Sequence, residues 1–225
     1  WVPPYAAADG RLFCNWFGIV FGIDADTGKL LWRSGKFDTI HSKFSQLPHS
    51  SANLEQFDIV AGPDTVLALW INPDRLNYHR EPFRMTAYEA ASGKELWNSE
   101  KLEPLKNDSF VGRPLIVDAD VLVTSHNRNE SKLLLRSLKL SDGAQNWSLE
   151  LGTAQQSTNQ RGNQVMPLPV LHVDGRTLYV LTNNGALLCL DLVTRQLEWA
   201  LKYASVAEGS GENMVVYSGE INTAT

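Results

Sequence analysis

Short runs of apolar residues, separated by turn dipeptides, divide the chain at regular intervals. The clearest stretch has Asp174-Gly175 after its first apolar run and Asn183-Asn184-Gly185 after its second. Asp-Gly and Asn-Gly are strong hairpin signals, and the runs between them are rich in residues that suit a pleated, half-buried surface. This pattern predicts a unit of four short antiparallel strands, at 168–173, Thr177–Thr182, Ala186–Asp191 and Gln196–Lys202.

The same order of runs and turns occurs three more times along the 225 residues. Asp9-Gly10, Gly62-Pro63-Asp64 and Asp118-Ala119-Asp120 separate the first and second strands of these earlier units. No stretch shows the sustained 3.6-residue period of a helical repeat. Repeated four-stranded units without helices between them are typical of the blades of a β-propeller. We therefore expect an all-β fold in a single domain, with blades at about 2–33, 56–98, 111–149 and 167–202.

Each predicted unit ends in tryptophan, about 50 to 65 residues after the last one. A sheet of four short strands buries little by itself, so neighbouring sheets must pack face to face. An indole ring can wedge between them while its N–H finds a carbonyl. The preceding glycines permit the positive φ of a tight turn, whereas Arg195 in the last unit predicts a turn that differs or carries strain. The residues expected to dock the blades are Trp32, Trp97, Trp147, Trp199, Gly28, Gly93 and Gly143.

The turn and its tryptophan resemble the PQQ-type repeat, whose pattern is roughly Ala-x-Asp-x-x-Thr-Gly-x-x-x-Trp. The first copy matches at Asp24, Thr27, Gly28 and Trp32, and the later copies match in part. The resemblance covers about residues 2–202 and implies a β-propeller of the quinoprotein-like type. It says little about activity, because the motif residues are packing residues.

Propellers of this family usually have seven or eight blades, so four blades and a partial fifth, 206–225, suggest part of a larger ring. The chain begins with Trp1, which indicates a processed, trimmed or internal start. A closed four-bladed ring is the alternative. It would make Cys14 and Cys189 members of neighbouring blades, whereas the simpler interpretation treats both as small buried hydrophobes.

The composition excludes some classes of function. The formal net charge of −5 does not favour nucleic-acid binding, and no apolar run has the length of a membrane helix. Asp24 to Gly28 begins like a calcium loop, but its glycine comes one position early and glycine stands where the last ligand is required. We therefore predict no metal site.

In such a blade the first-to-second and third-to-fourth turns lie at one end of the sheet. The other end, which we call the long-loop rim, carries the second-to-third loops and the links between blades, and here these segments hold the extra length. Binding residues concentrate in such loops. The candidate binding residues on this rim are Arg75, Tyr78, His79, Arg80, His126, Arg128 and Arg161.

The resemblance leads us to expect a non-catalytic bacterial scaffold of the cell envelope, outside the cytoplasm, since the family includes an outer-membrane assembly lipoprotein. Its expected partners are other proteins or a small, carbohydrate-like ligand on the long-loop rim. The alternative is part of a quinoprotein dehydrogenase that oxidises alcohols or sugars with PQQ and calcium. Such enzymes typically use an adjacent Cys-Cys pair, which this sequence lacks. We therefore predict no cofactor under the first hypothesis.

Overall fold

The computed structural model describes residues 4–35, 57–72, 82–127, 132–153, 157–158, 164–165, 168–182 and 186–202. These residues form four antiparallel four-stranded sheets, and in each sheet the strands lie side by side in chain order. The first sheet contains β1 (Tyr5–Ala8), β2 (Arg11–Trp16), β3 (Ile19–Asp24) and β4 (Leu30–Gly35). The second contains β5 (Ile59–Ala61), β6 (Thr65–Trp70), β7 (Arg84–Glu89) and β8 (Glu95–Asn98).

The third sheet contains β9 (Asp108–Val117), β10 (Asp120–Asn127), β11 (Lys132–Lys139) and β12 (Gln145–Thr153). The fourth contains β15 (Val170–Asp174), β16 (Thr177–Thr182), β17 (Ala186–Asp191) and β18 (Gln196–Lys202). A small two-stranded pair, β13 (Ser157–Thr158) with β14 (Gln164–Val165), lies in the link between these sheets. The predicted all-β fold of four-stranded antiparallel blades is thereby confirmed.

Several element boundaries differ from the prediction. The third blade begins at Asp108 rather than near residue 111, and β10 continues through Asn127. The predicted loop 126–131 is therefore shorter, because its first two residues pair with β9 and β11. A single 3₁₀ turn, Ser99–Lys101, lies in the link after the second blade.

The turns between third and fourth strands share one arrangement. The Gly28 N–H donates to the Asp24 carbonyl at 2.9 Å, and the Asp24 carboxylate accepts from the Thr27 hydroxyl at 2.6 Å. That hydroxyl bond is the main cause that lowers the pKa of Asp24 below its ordinary value. In the last blade the Arg195 N–H donates to the Asp191 carbonyl at 2.7 Å, and Arg195 has a φ of 61°. The last blade thus has the same turn, and Arg195 adopts the left-handed conformation that glycine adopts in the other blades.

Three apolar cores hold the four sheets together in sequence. The first core joins the Phe13 and Trp32 face of the first blade to the Ile59 and Tyr88 face of the second. The second lies between the second and third blades, and the third lies between the third and fourth. The first strands of successive blades are neighbours, so β1, β5, β9 and β15 form the inner side of the arc. This is the sheet-on-sheet packing of a propeller.

A docking joint links each pair of sheets at the third-to-fourth turns. The Trp32 Nε1–H donates to the Ala90 carbonyl at 2.9 Å, and the Trp97 Nε1–H donates to the Leu140 carbonyl at 2.9 Å. The rings lie so close to the next turn that a Cβ at Gly93 would come within 2.4 Å of Trp32. The equivalent Cβ at Gly143 would come within 2.7 Å of Trp97. Glycine is therefore required in these turns by the neighbouring ring as well as by its own positive φ.

The third joint uses a different contact. The guanidinium carbon of Arg195 lies 5.8 Å from the centroid of the Trp147 ring, which is a cation–π distance. Here a cationic side chain packs against the ring where the other joints have bare backbone. This contact explains why the fourth copy tolerates an arginine in place of glycine.

The arc is open at both of its ends. Trp199, on the outer face of the fourth blade, is 44% exposed, and Tyr5, on the outer face of the first, is 60% exposed. Both cysteines are free thiols on these two outer faces, with Cys14 half-buried and Cys189 buried. The described blades therefore form a partial propeller, and the alternative of a closed four-bladed ring is wrong for this arrangement.

Gly93 and Gly28 provide a matched test of the docking joint, because their φ values are 71° and 69° but only Gly93 lies under a ring. Gly28→Ala should cost about 1 kcal/mol, from the left-handed backbone alone. Gly93→Ala should cost about 2–4 kcal/mol, because the added methyl also displaces a buried indole. Urea unfolding of both variants in dilute solution measures the difference. Equal costs would show that the ring contact contributes nothing.

Candidate binding rim

The two ends of the blades differ in the length of the segments that connect the strands. At one end, the turns between first and second strands and between third and fourth strands span two to five residues. We call this end the short-turn rim. The long-loop rim is the opposite end, where β9 begins and β10 ends. Its longest excursions are 71–83 and the links 36–58 and 154–169.

Most of the predicted binding residues fall outside the part of the chain that the structure describes. Arg75, Tyr78, His79, Arg80, Arg128 and Arg161 are in this group. They stay predictions.

His126 is placed, and its expected role as a loop residue on the surface is corrected. It lies in β10, opposite Ser109 of β9 and Leu133 of β11, and is 2% exposed. Strand pairing with both neighbours holds it below the rim. Its imidazole is therefore buried and is not part of an exposed loop.

Edge-to-face aromatic contacts brace the long-loop rim across the first two blades. Phe17 packs on Phe57 with ring centroids 5.2 Å apart, and Phe57 packs on Phe83 at 5.3 Å. Phe17 adopts a φ of 53°, which is unfavourable for a bulky side chain. Its burial against these rings offsets that strain. The three rings thus pack together at the base of the rim.

A buried amide ties the first blade to the second beneath these rings. The Asn15 Nδ2 group donates to the carbonyls of Phe57 at 3.1 Å and Leu69 at 2.8 Å, while its Oδ1 accepts from Gly18 N–H at 2.9 Å. Asn15 is fully buried. A buried amide with its donors and acceptor satisfied fixes the relative position of two sheets more narrowly than apolar contact alone.

A buried ion pair occupies the same end of the third blade. Asp108 Oδ2 accepts from Arg136 Nε at 2.6 Å and from Ser125 Oγ at 2.7 Å, and it lies 2.5 Å from Arg136 Nη2. Both charged side chains are buried, and Arg136 also donates to Gln145. A buried ion pair is stable only while its hydrogen bonds offset the desolvation of both charges. Removal of one partner leaves the other charge buried and uncompensated.

Arg84 extends this polar layer into the second blade. Its guanidinium donates to the backbone carbonyl of Lys106, with longer bonds of 3.4 Å to those of Leu105 and Asp108. The side chain is buried at the start of β7, next to the 71–83 excursion. Arg84 therefore joins the second blade to the start of the third, whereas the Asp108–Arg136 pair lies within the third blade.

One carboxyl near the inner side of the arc has a perturbed environment. Asp58 precedes β5, and its carboxylate accepts from Ile59 N–H at 2.7 Å and lies 3.8 Å from the Arg113 guanidinium of β9. Burial raises the pKa of Asp58 above its ordinary value, and it outweighs the opposing effects of that hydrogen bond and of Arg113. The side chain remains 19% exposed.

Sequence reasoning missed this polar layer. Arg136 interrupts an otherwise apolar strand and Arg84 stands at the start of another, and a charge at such a position is the signal that could have indicated buried partners. Their partners Asp108 and Lys106 lie in a segment that the sequence pattern assigns to a link.

Comparison with known proteins decides the family. The model of the family described as outer membrane protein assembly factor BamB matches residues 2–225. The chain belongs to this family. A comparison with curated protein sequences finds no match.

Solved structures show the same fold for the BamB-like chain. BamB from Moraxella catarrhalis is 18% identical with a TM-score of 0.55, and the match covers 89% of this chain and 53% of that one. A europium-containing methanol dehydrogenase is 14% identical with a TM-score of 0.59, over 91% of this chain and 42% of that one. A quinohemoprotein alcohol dehydrogenase from Comamonas testosteroni is 13% identical with a TM-score of 0.56, over 89% and 35%.

These likenesses support the propeller fold, and the predicted resemblance to PQQ-like repeats is confirmed. The BamB-like chain spans about half or less of the length of each of these structures. Within its described residues no helix has the length and apolar character needed to cross a membrane. No three His, Cys, Asp or Glu side chains of the described ranges come together as a metal-binding group.

Asp108→Ala should destabilise the fold by about 3–5 kcal/mol, because it leaves the Arg136 charge buried without its partner. Glu95→Ala is the matched control, since Glu95 pairs with Lys101 at a similar 2.6 Å but on the surface. That exposed pair should contribute little to stability, because solvent screens it. Urea unfolding monitored by circular dichroism gives both values. A small effect at Asp108 would contradict the structural role of the pair.

Asp58→Asn should make the protein more stable at neutral pH. A raised pKa means that the folded state holds the Asp58 proton to a higher pH than the unfolded state does. Wild-type stability therefore falls as pH rises from the ordinary value of 3.8 through the raised one. The asparagine side chain still accepts a hydrogen bond from Ile59 N–H. Because it does not ionise, the stability of the variant does not fall in this way as the pH rises. Thermal unfolding from pH 3 to 7 should show a gap that opens with rising pH, and a constant gap would contradict the assignment.

Proposed function

We propose that this chain is a non-catalytic propeller module that binds another protein through its long-loop rim. The observation that carries the proposal is the difference between the two rims in loop length and in the packing beneath the loops. Short, repeated turns form one end, while the other combines long excursions with a rigid base of aromatic rings, Asn15 and the Arg136–Asp108 pair. Loops presented on a rigid scaffold are a common form of binding surface.

The 71–83 excursion is the strongest candidate within that rim. It contains two arginines, a tyrosine and a histidine, and Arg and Tyr are enriched among the anchors of protein interfaces. The buried Arg84 and Phe83 hold its C-terminal end. Arg75, Tyr78, His79 and Arg80 are therefore the proposed contact residues, with Arg128 and Arg161 from the adjacent loop and link. A small or carbohydrate-like ligand is the second kind of occupant for the same residues.

The family description supports a location outside the cytoplasm. It names outer-membrane protein assembly, which takes place in the bacterial cell envelope. We propose that the chain works there, in contact with an envelope protein.

Photocrosslinking tests the binding rim. Benzoylphenylalanine replaces His79 or, as the control on the short-turn rim, Asp142 in the turn before β12. The chain is exported to the periplasm of a Gram-negative host, irradiated, and its adducts are identified by mass spectrometry. We expect a discrete protein adduct from position 79 that is lost with Arg80→Ala, and none from position 142. Equal labelling from both rims would count against the proposal.

A fragment of a PQQ-dependent dehydrogenase is the alternative, supported by fold likeness to methanol and alcohol dehydrogenases. The described residues include neither adjacent cysteines nor a group of carboxylates suited to calcium. Titration of the purified chain with PQQ and calcium, followed by dye-linked alcohol oxidation, separates the two functions. Stoichiometric uptake with turnover would favour the dehydrogenase.

A further inference from the structure

The joint between the third and fourth blades is built differently from the two before it. In the first two joints the ring packs on a glycine, and Trp32 and Trp97 are only 8% and 5% exposed. Trp147, at the third joint, is only partly buried. Among the residues that the structure describes, its Nε1–H has no acceptor, whereas the other two indoles donate to a carbonyl of the next blade. The equivalent carbonyl here belongs to Leu192, by its place in the turn.

The side chain of Arg195 accounts for this difference. Arg195 has a φ of 61°, close to the 71° of Gly93 and Gly143, the equivalent residues of the other joints. A Cβ at those two glycines would lie 2.4 Å and 2.7 Å from the nearest ring atom, well inside the contact distance of two carbon atoms. Arg195 carries that Cβ in every rotamer, so the Trp147 ring cannot occupy the position that its counterparts occupy. The ring instead lies against the guanidinium, whose carbon is 5.8 Å from its centroid.

The inner strands of the same two blades are in close contact. A Cβ at Gly112 of β9 would lie 2.2 Å from the Pro169 carbonyl oxygen, so the two backbones touch there without a side chain between them. The blades also share an apolar core, to which Leu122 contributes from β10 and Leu178 from β16. The interface is thus tight at the inner strands and lacks the indole–carbonyl bond at the short-turn rim.

We propose that the third joint is a hinge of the propeller. The fourth blade pivots on the contact between Gly112 and Pro169, and the short-turn ends of the third and fourth blades part and close. The first two joints do not open in this way, because each has an indole bonded to backbone, and Asn15 adds a buried amide to the first. Parts of a fold that move on binding are those with the lower local stability. The hinge lies in the joint itself, so it does not depend on which rim binds a partner.

Hydrogen exchange of the indole N–H groups, followed by NMR in the full chain, tests the hinge. Trp147 should exchange about three- to tenfold faster than Trp97, because it lacks one hydrogen bond of ordinary strength. Arg195→Gly removes the Cβ and lets the ring reach the Leu192 carbonyl, so it should slow the exchange of Trp147 by about the same factor. Arg195→Ala keeps the Cβ and should not slow it.

The two variants separate the hinge from simple relief of backbone strain. Glycine at position 195 relieves the left-handed conformation wherever the ring lies, but that relief alone does not protect an indole N–H. Equal exchange of Trp147 in the Arg195→Gly and Arg195→Ala chains would overturn the proposal. Circular dichroism checks that both variants keep the fold.

Distances between spin labels, measured by pulsed electron paramagnetic resonance, report the motion itself. Ala91→Cys and Val193→Cys place labels across the second and third joints. Asp26→Cys and Ser141→Cys place them across the first and second joints, as the matched control. All four residues are exposed, and they occupy the same place in the turns of their blades.

The native thiols are first removed from both label pairs by Cys14→Ala and Cys189→Ala. We expect a broader distance distribution for the pair that spans the third joint than for the control pair. Arg195→Gly should narrow the first distribution and leave the second unchanged. Equal widths in the two pairs would show that all three joints are equally rigid, and would overturn the proposal.

Discussion

The structure depends on one contact, an indole ring pressed against the backbone of the next blade. A four-stranded sheet of short strands exposes two apolar faces and cannot bury both by itself. Trp32 and Trp97 solve this problem by packing on Gly93 and Gly143 and by donating to a neighbouring carbonyl. Because a ring and a turn recur in every repeat, successive blades pack at the same place, although in the third joint the ring meets Arg195 and not bare backbone.

Polar contacts at the opposite end add specificity to this apolar packing. Asn15 connects two sheets through backbone carbonyls, and the Asp108–Arg136 pair fixes the third sheet near the long-loop rim. Burying these groups has a desolvation cost, which is acceptable where their hydrogen bonds are made. The consequence is a rim whose base is held at defined positions while its loops differ from blade to blade.

The same physics makes the ends of the arc distinctive. Repeats in the interior have both faces covered, whereas terminal repeats of a solenoid or ring need either a polar cap or a partner. Here Trp199 and Tyr5 remain on outer faces that are built like inner ones. The exposed apolar residues on these outer faces are consistent with membership of the BamB family, since the chain spans only part of the length of its solved relatives.

The sequence by itself determined the repeat, the strand order and the turn chemistry, since these follow from local alternation, hairpin signals and the tryptophan at each repeat's end. It predicted β16, β17 and β18 at their observed bounds. Only the tertiary structure decided that His126 is buried, that Arg195 packs on Trp147, and that Arg136 meets Asp108. Those contacts join residues distant in sequence, or a strand to a segment without periodic pattern. Local patterns carry no information about which side chains of different strands meet.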